Sequence, residues 1–150
     1  MHCKLMALVL FFSIFFSSMH QHLLAQYRIE MPEYGFSFEL SDEATLEEHG
    51  NDIIMGTGSN MSFVIQAFDD SESFTEFTQR LTFELGLKIY DSGYVTHLKG
   101  FNGMILHGEI DDATHVVVYL NDGKYKFLIN IAWDFEEGYN EATDLINSIQ

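Results

Sequence analysis

The 150-residue sequence predicts an α+β fold: an antiparallel sheet of about seven strands with a helix on each face. Three observations carry that expectation. Apolar segments at residues 104–110, 114–120 and 125–133 are separated by turns too short for anything but hairpins, which makes a meander. Val116-Val117-Val118 and residues 127–131 are apolar at successive positions, as in strands covered on both sides. Two helical periodicities, at residues 73–85 and after Trp133, supply the covering layers.

The first 25 residues are expected to be a secretory signal peptide and not part of the fold. A weakly basic lead with Lys4 precedes an apolar run at residues 5–16, then a polar stretch, then Leu23-Leu24-Ala25, with cleavage after Ala25. The apolar run is shorter than the roughly 17–25 residues that span a bilayer, so no membrane insertion is expected after cleavage. Cys3, the chain's single cysteine, sits ahead of the apolar run and leaves with it, which excludes disulfides and thiolate chemistry from the mature chain. Losing Lys4, one of 7 basic residues, leaves six against 23 acidic ones, a net charge of −17. That charge repels nucleic acid and anionic membrane surfaces; a basic protein partner, a metal ion, or solubility alone outside the cytoplasm would each fit it, and solubility alone is the first expectation.

Residues 26–33 read as a lead-in to a single domain at 34–150. Phe36, Phe38 and Leu40 alternate with polar neighbours as a first strand. Residues 44–52 are acidic and unpatterned, a loop. Ile53-Ile54-Met55 and residues 61–68 make a hairpin around Gly56-Thr57-Gly58-Ser59-Asn60; no lysine follows those glycines, so they are a turn and not a phosphate loop. Asp69-Asp70-Ser71-Glu72 breaks the strand. Ser73 with Glu76 fits a capping box, Phe74, Phe77, Leu81 and Leu85 follow at helical spacing, and Gly86 ends the helix. Residues 87–93 are a link and 94–99 a strand turned by Phe101-Asn102-Gly103. The meander strands are joined by Asp111-Asp112-Ala113 and Asn121-Asp122-Gly123. Asp134-Phe135-Glu136-Glu137 suits a helix start, with Tyr139, Ala142, Leu145 or Ile146, and Ile149 on its apolar face.

This layout resembles the PsbP-like superfamily, named for an extrinsic protein of photosystem II. The matching pieces are the Tyr34-Gly35-Phe36-Ser37-Phe38 strand, the helix after the first hairpin, the Gly103-Met104 and Val116-Val117-Val118-Tyr119 strands, and a last strand running into the C-terminal helix. They span nearly all of residues 34–149. The resemblance implies an α/β/α sandwich and a non-catalytic binding or assembly role. It carries no site residues onto this chain, and a secretory signal departs from the superfamily's nuclear, Ran-binding members.

The chemistry available is limited. His97, His107 and His115 lie on expected strands, and register decides whether they meet. A three-residue Asp111-Asp112-Ala113 loop sets Glu109 opposite His115, with His107 on the same face. A three-residue turn before Met104 would then place His97 opposite His107, assembling His97, His107, His115 and Glu109 as a zinc or copper site. The commoner two-residue Asn102-Gly103 turn puts His97 opposite Gly108 instead and leaves a scaffold, which is the expectation; no cofactor is expected. Acidic pairs at Asp69-Asp70, Asp111-Asp112 and Glu136-Glu137 lack EF-hand spacing. No Gly-x-Ser-x-Gly elbow is present. Tyr119, Phe127 and Trp133 are expected in the core. Phe101, at a hairpin tip, is the aromatic placed to contact a partner.

The functional expectation is a secreted, non-catalytic binding or assembly module of the bacterial envelope, periplasmic or extracellular, acting through an unknown protein partner. The alternatives are a metal-binding protein or enzyme using the histidine face, and an immunity protein or secretion chaperone for a basic partner.

Overall fold

The computed structural model describes residues 26–68 and 73–150. The expected signal peptide and the Asp69–Glu72 strand break lie outside the described residues. Among the described residues, nine strands and two helices follow one another: β1 (Gln26–Met31), β2 (Phe36–Ser41), β3 (Thr45–His49), β4 (Ile53–Thr57), β5 (Ser62–Phe68), α1 (Phe74–Glu84), β6 (Lys88–Val95), β7 (Asn102–Ile110), β8 (Ala113–Asn121), β9 (Lys126–Trp133) and α2 (Glu136–Asn147). A seven-stranded antiparallel sheet runs in the order β3-β4-β5-β9-β8-β7-β6, and β1 and β2 form a separate two-stranded hairpin. No helix among the described residues is long and apolar enough to cross a membrane.

The expected fold class forms, with a helix on each face, but its strands are drawn differently. Residues 26–31, expected as lead-in, are β1: Ile29 and Met31 are buried and pair with Phe38 and Phe36. The expected first strand of the sheet is therefore β2 of the hairpin instead. Residues 45–49, expected as loop, are the edge strand β3. Residues 88–93, expected as a link, belong to the other edge strand, β6.

The sheet buries its two faces unequally. One face packs against α2 and the β1–β2 hairpin, enclosing Phe36, Phe38, Phe63, Phe127, Ile129 and Ile131. The C-terminal residue closes this layer: Ser37 and Gln150 exchange backbone hydrogen bonds of 3.0 and 2.9 Å. The other face packs Phe77 and Leu81 of α1 onto Leu106, Val117 and Tyr119. Residues 116–120 of the interior strand β8 are buried at every position because they contribute to both cores. In β9 Phe127, Ile129 and Ile131 are buried but Leu128 and Asn130 only half so, since α1 covers less of the sheet than α2 does.

Both helix starts were legible. The α1 capping box is present as expected: Glu76 N–H donates to the Ser73 hydroxyl, and Ser73 N–H donates to the Glu76 carboxylate at 2.8 Å. Leu85 is half exposed and does not join the stripe. On α2 the buried positions are Gly138, Ala142, Leu145 and Ile146; Tyr139 is exposed, edge-on to Trp133 at 6.1 Å.

Candidate functional site

The turns decide where the histidines go. Ile110 pairs with Ala113, so the β7–β8 turn has two residues, Asp111 and Asp112, with φ of 49° and 69°. These are the positive angles a two-residue hairpin needs, and aspartate tolerates them. Relative to a three-residue loop, the register moves by one. Glu109 faces Thr114, His115 faces Gly108, and His107 faces Val116. His115 is thus turned to the α1 side of the sheet while His107 and Glu109 take the α2 side.

His97 lies on no strand. Val95 pairs with Gly103, and the residues between them form a longer connection than either expected turn. Leu98 is 5% exposed and Phe101 packs edge-on against Phe36 and Phe127, at 6.0 and 5.9 Å between ring centres. These two anchors pull the connection back over the α2-side core. Phe101 is therefore half-buried against this core and not the fully exposed aromatic expected at a hairpin tip.

His97 and His107 both line a small cavity of about 150 Å³ under α2, as do Trp133 and Tyr139. His115 is excluded from it; its Nδ1 is 3.0 Å from Asn130 Oδ1 on the opposite face. The alternative set of His97, His107, His115 and Glu109, which a three-residue turn would have brought together, does not assemble. Among the described residues no group of three histidine, cysteine or acidic side chains is placed to hold a metal. His49 is exposed on the edge strand β3. Tyr119, Phe127 and Trp133 line no common pocket either: Tyr119 belongs to the α1-side core and the other two to the α2-side core.

A different constellation stands out at the start of α2. Gly138 lets this helix lie directly on the sheet: a β-carbon there would sit 2.4 Å from Trp133 Cβ and 2.7 Å from the Asn60 carbonyl oxygen. The close approach carries Glu141 to the β4–β5 turn. Its two carboxylate oxygens accept hydrogen bonds from the backbone N–H groups of Ser59 and Asn60, each 2.9 Å. Gly58 makes room, since a β-carbon there would fall 1.9 Å from Glu141 Oε1. The Ser59 hydroxyl in turn donates to Glu43.

These contacts form one wall of a cleft of about 310 Å³ between α2, the β2–β3 connection and the β4–β5 turn. Five acidic residues line it, Glu39, Glu43, Glu137, Glu141 and Asp144, and among the described residues no lysine, arginine or histidine does. Within α2 itself Glu136, Glu137, Glu141 and Asp144 face no basic residue of the helix. Glu137 and Glu141 are four apart, a like-charge spacing that destabilises a helix by about 0.2–0.5 kcal/mol. Asp144 in the last turn opposes the helix dipole. Sequence reasoning singled out Glu136-Glu137 but missed the cleft; the signal available was the α2 run itself, four acids and no base.

No family model matches the sequence, and no curated protein does. Solved structures do match. Cyanobacterial PsbP (CyanoP) from Synechocystis sp. PCC 6803 superposes with a TM-score of 0.62 at 6% identity, covering 87% of this chain and 95% of that one. The chain has a PsbP-like fold. A protein of Bacteroides thetaiotaomicron VPI-5482 superposes with a TM-score of 0.55 at 13% identity, covering 85% of this chain and 48% of that longer one. At these identities the likeness concerns the fold alone. The α+β sandwich that the element order implied is thus found, PsbP-like resemblance included.

Proposed function

We propose that this chain is an exported, non-catalytic binding module of the bacterial envelope that engages a cationic segment of another protein in the α2 cleft. The observation that carries the reading is a lining of five acidic residues with, among the described residues, no lysine, arginine or histidine. Lysine or arginine side chains inserted there would relieve the like-charge repulsion along α2 and form charge-assisted hydrogen bonds with Glu137 and Asp144. Glu141 and Glu43 already spend acceptor capacity on the β4–β5 turn and shape the wall. The signal-like leader of residues 1–25 supports the setting of the proposal, periplasmic or extracellular.

Two measurements test it. Co-purification from the native envelope should recover a basic protein that raised salt releases, because exposed ion pairs are screened. The double variant Glu137→Lys/Asp144→Lys, both exposed positions, should fold and lose that protein. Capture indifferent to salt and to charge reversal would overturn the reading. N-terminal sequencing of the exported product should begin at Gln26; a chain retained in the cytoplasm with residues 1–25 intact would remove the envelope from it.

A further inference from the structure

The two edges of the seven-stranded sheet are treated differently. Edge strand β3 is short, bulged between Leu46 and Glu48, and flanked by Asp42, Glu43, Glu47, Glu48 and Asp52 with no lysine or arginine among residues 42–52. That is a strand protected against pairing. Edge strand β6 is eight residues long and exposed along nearly its whole length. Of the seven exposed large apolar side chains among the described residues, five gather here: Ile89, Tyr90 and Tyr94 on β6, with Phe83 and Leu85 just before it. Phe83 is 83% exposed and Tyr94 78%.

We propose that this edge is a self-association face, on which a second copy of the chain adds its own β6 antiparallel across a two-fold axis. Three observations select that occupant. The first is self-complementarity. Ile89 and Tyr94 pair with Gly108 and Met104, positions that alternate with Leu106 beneath α1, so both lie on the α1 side of the sheet. Phe83 and Leu85 end α1 on that same side. An antiparallel two-fold sets the N-terminal end of one β6 beside the C-terminal end of the other. Tyr94 of each copy then meets Ile89, Leu85 and Phe83 of its mate, twice over. A parallel arrangement would not bring these groups together.

The second is charge. Copies of so acidic a chain repel one another except where the surface is neutral. Residues 80–99 carry Arg80, Lys88 and Lys99 against Glu84 and Asp91, whereas the β3 edge carries acids alone. The third is backbone continuity. Beyond the Ile89–Asp91 bulge, Asp91–Val95 pairs regularly with β7, so its outer edge is straight enough to take another strand and continue the sheet.

The purified protein, followed by sedimentation equilibrium over a wide concentration range, should show a reversible monomer–dimer equilibrium with no larger species. Tyr94→Lys and, separately, Phe83→Lys should each weaken dimerisation about tenfold or more, by burying a charge among apolar groups. Thr45→Lys on the opposite edge should leave it unchanged, as should charge reversal at Glu137 and Asp144. Both test positions are exposed, so the variants keep the thermal midpoint of the parent; if either fails to fold, the other reads the same surface. A chain monomeric at every concentration, a dimer insensitive to both lysine substitutions, or open-ended growth would overturn the proposal.

Discussion

The two faces of the sheet are held by different means. On the α2 side, helix and β1–β2 hairpin enclose a continuous aromatic core in which Phe36 and Phe127 stack at 4.4 Å and Phe38 meets Phe63 edge-on at 6.1 Å. On the α1 side, one eleven-residue helix rests on the sheet mainly through Phe77 and Leu81. The interior strand β8 serves both, so the faces share a scaffold without sharing a fate. A helix held by two buried side chains and a cap opens more readily than a layer in which the β1–β2 hairpin and the residues after α2 are hydrogen-bonded to each other.

Phe127→Ala should test the stronger face with the largest effect, about 4 kcal/mol lost by urea unfolding, as expected for removing a fully buried ring. A loss under about 1.5 kcal/mol would mean that Phe36 and Phe101 collapse into the space, and the core is softer than its stacking suggests. Leu81→Ala on the weaker face should cost about 2–3 kcal/mol. The sharper readout is hydrogen exchange: α1 amides should exchange well before those of β8 and β9. Uniform exchange across both faces would erase the distinction.

How much of this was legible in the sequence depends on burial. The meander strands and both helices announced themselves because one side of each is apolar, and Ser73 with Glu76 marked the α1 start. The edge strands did not. Strand β3 contains one apolar residue, Leu46, and β6 buries only Val95; their membership rests on backbone hydrogen bonds, which leave no hydrophobic period. Strand β1 did carry the alternation Tyr27, Ile29, Met31 against Arg28 and Glu30, and was readable. The histidine question turned on one residue of register at Asp111-Asp112 and on Leu98 and Phe101 anchoring the preceding β6–β7 connection, neither of which spacing reveals. The α2 cleft needed Gly58 and Gly138, whose role is to be absent from space their neighbours occupy.

That cleft belongs to the stronger face, and its wall can be dissected. Gly58→Ala forces the Glu141 carboxylate off the Ser59 and Asn60 N–H groups, at a cost of about 1.5 kcal/mol. Glu141→Ala should cost about the same, and the double variant little more than either, since both remove one interaction. Additive losses would show that Gly58 matters to the turn independently of Glu141.

The smallest effects sit at the weaker face's cap. Ser73→Ala should cost about 1 kcal/mol. Glu76 supplies a pH signature besides. Its carboxyl is held below its ordinary value of 4.5, first by the Ser73 backbone N–H and next by the Ser73 hydroxyl. A carboxyl lowered on folding stabilises the native state above its unfolded pKa, and that contribution disappears as pH falls through the folded value. Compared with Glu76→Gln, the parent should therefore hold its α1 advantage near neutrality and lose it progressively below about pH 4.5. Ser73→Ala keeps the backbone donor, so it should retain part of that pH dependence while Glu76→Gln retains none. If instead Ser73→Ala flattens the acid limb as fully as Glu76→Gln does, the hydroxyl and not the backbone N–H governs the carboxylate, and the reciprocal bond of the capping box contributes less than its 2.8 Å length suggests.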